Sequence, residues 1–256
     1  MSLLRMIGVG LLLHTKQLSR SSFEIATALI VPVVQATLAV YLFRAGDEPG
    51  RLLEAAVGAG LMGVWSSVLF GSGGAIQRQR WQGTLEMIML APRPPALMIL
   101  PITLATAVTG TYAMLATLLW GRLLYGIPLH FAHPLLFLIA VPGCILGLGM
   151  FGLLLASTFV LMRNANALTN TLEYPIWLVS GMLVPLTVLP GWTGPIAAAL
   201  PTTWGARAVH EAASGGPVWP SLGICLAISL GCLVVGALMM TYVERRARAA
   251  ATLALA

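Results

Sequence analysis

Six apolar runs lie along this chain, at about Phe23–Phe43, Leu52–Ile76, Ala96–Trp120, Pro134–Met162, Ala167–Leu189 and Trp219–Val243, with short polar or proline-broken stretches between them. A helix needs about 20 apolar residues to cross the hydrocarbon core of a bilayer, and every run reaches that length. Of 256 residues, 58% are hydrophobic and 9% charged, and the mean hydropathy is +0.91. No single soluble globule buries so much apolar surface, and about 25% charge is usual in one. The pattern predicts an all-α membrane protein with six transmembrane helices in a single domain, residues 1–256.

The remaining punctuation refines this reading. Leu3–Leu13 is apolar but too short to span, and most of its flanking charge, His14, Lys16 and Arg20, comes after it. A signal peptide has the opposite order, so the segment reads as an N-terminal interfacial helix that stays on the mature protein. Gly58, Gly60, Gly63, Gly71, Gly73 and Gly74 give the second run small surfaces for close helix approach, and Gly143 and Gly147 form a G-x-x-x-G with the same meaning. Glu173 lies near the start of the fifth run. A charge at bilayer centre costs about 2.5–3.5 kcal/mol on insertion scales, so it stands near the surface or serves a function. Its position about two turns from the polar stretch Arg163–Asn170 favours the surface. Cys144, Cys225 and Cys232 lie in apolar stretches and read as packing residues. His130 and His133 have the spacing of a ligand pair, but no Cys, Asp or Glu lies nearby in sequence, so no metal site is expected.

The net charge of +6 does not point to nucleic acid, because the basic residues are spread over span ends without clustering or stacking aromatics. They report topology instead. With both termini cytoplasmic, Arg5, Lys16, Arg20, Arg78, Arg80, Arg93, Arg163, Arg245, Arg246 and Arg248 lie inside, and Arg44, Arg51, Arg122 and Arg207 outside: ten against four, as the positive-inside rule asks. Lys16 is the one lysine beside thirteen arginines, the mark of a GC-rich bacterial genome, which places the chain in a bacterial plasma membrane.

Between the second and third runs stands a charged island, Gln77–Pro95, QRQRWQGTLEMIMLAPRPP. Read as one helix, it sets Trp81, Leu85 and Ile88 on one side and Arg78, Gln82 and Glu86 in an adjoining polar row, and it stops at Ala91-Pro92. Such a helix suits a membrane surface or a protein partner. Gly83-Thr84-Leu85-Glu86, followed by Pro92 and a fresh apolar span, resembles the coupling-helix motif of ABC-2 type permeases, the membrane subunits of a class of ATP-driven exporters. A second motif follows in the same order. Ser180-Gly181, Pro185, Leu189-Pro190-Gly191-Trp192 and Leu200-Pro201 resemble the stretch where those permeases end the fifth helix and fold two short re-entrant helices into the outer leaflet. The resemblance covers nearly the whole chain. It departs at Gln79, where the family often has an acid, and at Leu100-Pro101, where it often has a lysine.

The resemblance implies a permease subunit that works with a separate ABC ATP-binding subunit and pairs with a second permease copy or a similar chain in membrane lipid. It assigns coupling to Arg78, Arg80, Gly83, Thr84, Leu85 and Glu86 on a cytoplasmic coupling helix. The ATP belongs to the partner, since Lys16 is followed by Gln17 and no phosphate loop surrounds it. No nucleophile elbow, H-E-x-x-H or cysteine pair is present, so no catalytic or metal residues are expected. If two copies face each other, Gly181, Met182, Leu183, Val184, Pro185, Leu186 and Val188 would cap the substrate pathway. Their apolar character suits a hydrophobic or amphipathic compound, such as a drug, antibiotic or lipid. The alternative is a secondary transporter or channel subunit without ATP coupling, for which a polar interior or repeated halves would be expected; neither is evident.

Overall fold

A computed structural model of the protein describes residues 3–20, 22–45, 52–84, 87, 94–161 and 165–250. Its described elements are helical: α1 (Leu3–Leu18), α2 (Ser22–Ala45), α3 (Leu52–Trp81), α4 (Pro95–Tyr125), α5 (Pro134–Leu161), α6 (Ala165–Val179), α7 (Thr193–Ala199), α8 (Pro201–Ser214) and α9 (Val218–Ala250), with a short 3₁₀ turn at Leu186–Val188. Four of them, α3, α4, α5 and α9, are long and apolar enough to cross a bilayer. In α2 the described apolar stretch is Ile30–Arg44.

Helix ends follow local chemistry. α4 begins with Pro95, whose missing N–H costs nothing in a first turn, and it ends at Gly126 with φ 65°. There the Gly126 N–H donates to Arg122 O and the Ile127 N–H to Gly121 O, each at 3.2 Å, and the Ile127 side chain is buried under the turn. Inside α4, Thr103, Thr106, Thr109, Thr111 and Thr117 donate their hydroxyls to carbonyls three or four residues back, which lets polar residues sit in an apolar bundle. The fifth apolar run is not one helix. α6 has 15 residues and stops at Val179, because Gly181, at φ 70°, turns the chain aside.

α3 is the most enclosed of the long helices, with α2, α4, α5, α6 and α8 packed against it. Trp65 is fully buried at its centre and stacks on Phe151 of α5 with ring centroids 6.0 Å apart. The expected small-residue contacts are real. A Cβ on Gly71 would collide with the Thr106 side chain, and one on Gly110 would lie 3.0 Å from Val64 Cα. A Cβ on Gly58 would run into the backbone oxygen of Met182, which the chain brings against α3 just after the break at Gly181. Behind α5, helix α8 wedges against α9 as well, where a Cβ on Gly205 would lie 2.6 Å from Cys144 Sγ and 3.3 Å from Cys225 Sγ.

These contacts separate two glycines of the same helix. Gly58→Ala should destabilise by about 1–3 kcal/mol, since a carbonyl cannot step aside as a flexible side chain can. Gly74 has nothing within 4 Å of a built Cβ, so Gly74→Ala should be neutral or stabilising by up to about 1 kcal/mol. Thermal stability in detergent, followed by size-exclusion profile, reads both; equal melting of the two variants would contradict the packing.

Candidate functional site

The charged island divides at Gly83. α3 carries straight through Gln77–Trp81 and then stops: Gln82 N–H donates to Arg78 O, Gly83 N–H to Arg80 O and Thr84 N–H to Gln79 O, all at 3.0 Å, with Gly83 at φ 65°. This is a left-handed helix stop, and the Thr84 hydroxyl adds hydrogen bonds to the Gln79 side chain and carbonyl. The expected single helix is interrupted by this left-handed turn at Gly83, and Leu85 and Ile88 lie outside the described residues. Of the coupling residues, Arg78 and Arg80 sit on the last turn of α3, and Gly83 and Thr84 form the stop. Leu85 and Glu86 lie outside the described residues. Arg80 reaches across and donates from Nη2 to Val160 O at 2.5 Å, satisfying a carbonyl at the C-terminal end of α5. Trp81 and Met87 are exposed.

Above this stretch a cavity of about 950 Å³ opens between α1, α2, α3, α4 and α6. α1 brings His14 and Gln17, the turn after it brings Ser19, and α2 brings Val31 and Pro32. The α3 wall runs from Gly63 through Ser66, Ser67, Phe70 and Gly74 to Arg78, and the facing α4 wall carries Ile102, Thr106, Thr109, Tyr112, Leu115, Leu119 and Trp120. Ser19 and Tyr112 hydroxyls lie 3.3 Å apart and join α1 to α4. Burial pushes the His14 imidazole below its usual range, with a side-chain hydrogen bond to Gln17 opposing the shift. Most of the lining is apolar, and the volume is within the about 300–1,000 Å³ usual for small-molecule sites.

Glu173 of α6 also lines this cavity. Its Oε1 accepts a hydrogen bond from Ser66 Oγ at 2.7 Å. Ser66 is the fifteenth of 30 residues in α3, so the carboxylate stands about 21 Å from either end of that helix. Glu173 therefore lies beside the midpoint of α3 and not beside either of its ends. Two turns of helix from the polar stretch is about 11 Å, most of the roughly 15 Å half-thickness of a hydrocarbon core.

The 181–188 segment is placed elsewhere. Met182 and Leu183 are buried inside the bundle, Gly181, Val184, Pro185 and Leu186 are partly covered, and Val188 is exposed. None of the seven lines the 950 Å³ cavity. Two residues of α8 hold this region together. His210 Nε2–H donates to Met182 O at 3.0 Å, and Glu211 accepts from Arg207 Nε at 2.9 Å and from Ser221 Oγ at 2.6 Å. No local sequence pattern signals the carbonyl that the break at Gly181 leaves open. His130 and His133 are exposed in the 126–133 loop.

The family profile of ABC-2 type transporters matches residues 11–213, from within α1 to the end of α8, and so takes in every residue of the cavity. The chain belongs to the ABC-2 type transporter family. It is a multi-pass membrane permease, and its membership implies pairing with an ABC ATPase subunit. No curated protein matches the sequence. In this permease the cavity makes a simple accessibility contrast. Ser67 lines it, whereas Ser72, less than two turns along α3, is fully buried. Ser67→Cys should react readily with a small membrane-permeant maleimide and Ser72→Cys should resist it, as read by mass spectrometry; equal labelling would mean the cavity is closed.

Proposed function

We propose that this permease exports a hydrophobic or amphipathic compound from the cytoplasm or inner leaflet, with the work done by ATP on a separate subunit docked at the Arg78–Glu86 stretch. The observation that carries this reading is the cavity: it lies wholly within the family-matched region, is mostly apolar, and has Arg78, Gln79 and Gln82 of the docking stretch in its wall. Movement of α3 caused at that stretch would therefore reshape the cavity directly. In this reading six spans cross a bacterial plasma membrane with both termini inside. α7 and α8 form the re-entrant pair, two copies face each other, and the 181–188 segment caps the outer end of the path between them.

One observation favours a second reading. Glu173 is an ionisable group beside the midpoint of a candidate span, and ionisable groups within spans mark ion-coupled transporters. The two are told apart in proteoliposomes holding the permease and its ATPase. Export should require ATP and survive a protonophore; export that continues without ATP and stops with the protonophore would establish the second reading. Glu86→Ala should cut coupled transport by about tenfold or more, the loss expected when one interfacial ion pair or charged hydrogen bond is removed, while expression and insertion stay normal. Wild-type transport in that variant would remove Glu86 from the docking surface.

A further inference from the structure

Glu173 carries a chemistry that coupling to an ATPase does not explain. One of its oxygens accepts from the neutral Ser66 hydroxyl, and among the described residues no Lys, Arg or His lies within ion-pair range of either oxygen. Arg78, at the other end of the α3 wall, is twelve residues from Ser66, or about 18 Å along the helix. A carboxylate at this depth is expensive unless a positive charge meets it. Phe70, Tyr112 and Trp120, whose ring faces attract cations, line the same space, while the basic side chains of the wall are His14 of α1 and Arg78 at the end of α3. The Trp120 indole N–H is buried without a hydrogen-bond partner, so its ring is held by packing and not by a polar tether.

We propose that the cavity binds a monovalent, amphipathic organic cation, with its positive charge against Glu173 and its apolar body against Phe70, Tyr112 and Trp120. The proposal rests on the reading of this cavity as the cargo site and deepens it by naming the cargo's charge. One acid at mid-depth selects one positive charge, and the apolar remainder of the wall selects a body that has already left water. Glu173 is then a binding residue, and Ser66 positions it by fixing one oxygen.

The probes are tetraphenylphosphonium and tetraphenylborate, two ions of matching shape and opposite charge. Binding is measured by equilibrium dialysis on the full chain in nanodiscs of neutral lipid at neutral pH, with each variant compared to wild type for each ion so that partition into lipid cancels. Glu173→Gln should weaken phosphonium binding by about tenfold and leave borate unchanged, while Glu173→Asp keeps most of the affinity. If Glu173 only holds α6 to α3, Glu173→Gln and Ser66→Ala will lower thermal stability alike and leave phosphonium affinity intact, which overturns the proposal. A second variant leaves the acid in place. In Ser67→Cys the phosphonium should protect the thiol from alkylation and the borate should not; equal protection by both ions, or by neither, also overturns it. ATP-driven export with the partner subunit separates the two levels of the argument. Cation binding without export contradicts the exporter reading alone, and export that ignores the loss of cation binding contradicts the site alone.

Discussion

Close backbone approach along α3 is the constraint on which the rest of this structure depends. In lipid, apolar side chains gain little by leaving hydrocarbon for one another, so helices associate through tight packing and hydrogen bonds. Small residues on α3 and α4 provide that packing, with Thr106 filling the space beside Gly71 and Val64 lying against Gly110. The same seam fixes depth. Because α3 and α4 are locked along their length, Ser66 is held at the middle of the bundle, and α6 meets it there through Glu173. Where α1 and α2 approach from the other side the packing opens, and the cavity lies in that opening.

Many polar groups inside the bundle are answered by a neighbour, although Trp65, Ser72, Trp120, Thr203 and Ser229 bury a polar atom without one. Threonine hydroxyls of α4 return to their own helix, Arg80 answers a carbonyl at the end of α5, and His210 answers the one exposed by the break after Gly181. These are the adjustments that keep a broken or crowded helix tolerable away from water. Glu173 differs from them: its described partner is neutral, and it faces open space. A membrane protein that keeps a charge in such a place has a use for it.

Much of the architecture was legible in the residues. Runs of sufficient length mark α3, α4, α5 and α9, and the glycines at 58, 60, 63 and 71 mark the helix that others approach most closely. Ser180-Gly181 announces the end of α6. What periodicity missed has a common cause, which is that single positions overrule a repeat. Gly83 ends α3 in a left-handed turn although Trp81, Leu85 and Ile88 keep helical spacing across it; Gly83 after Arg78 and Arg80 was itself a helix-stop signal. Glu173 was judged by its distance in sequence from a polar stretch, whereas its depth follows from Ser66, which is 107 positions away and invisible to local pattern. The cavity has walls from five helices and no motif of its own.

The family match, the Arg78–Gln82 stretch in the cavity wall and the carboxylate beside the midpoint of α3 support the account we propose, in which α3 of this ABC-2 permease links an ATPase contact at one end to a cargo site at its centre. The most direct test is a cryo-electron microscopy map of the permease with its ATPase in lipid nanodiscs. The account predicts the Glu173 carboxylate beside Ser66 at the middle of the lipid belt, open to a cavity between α1, α2, α3, α4 and α6, with the turn at Gly83 against the ATPase. A map with Glu173 at headgroup level, or with that space filled by side chains, would contradict it.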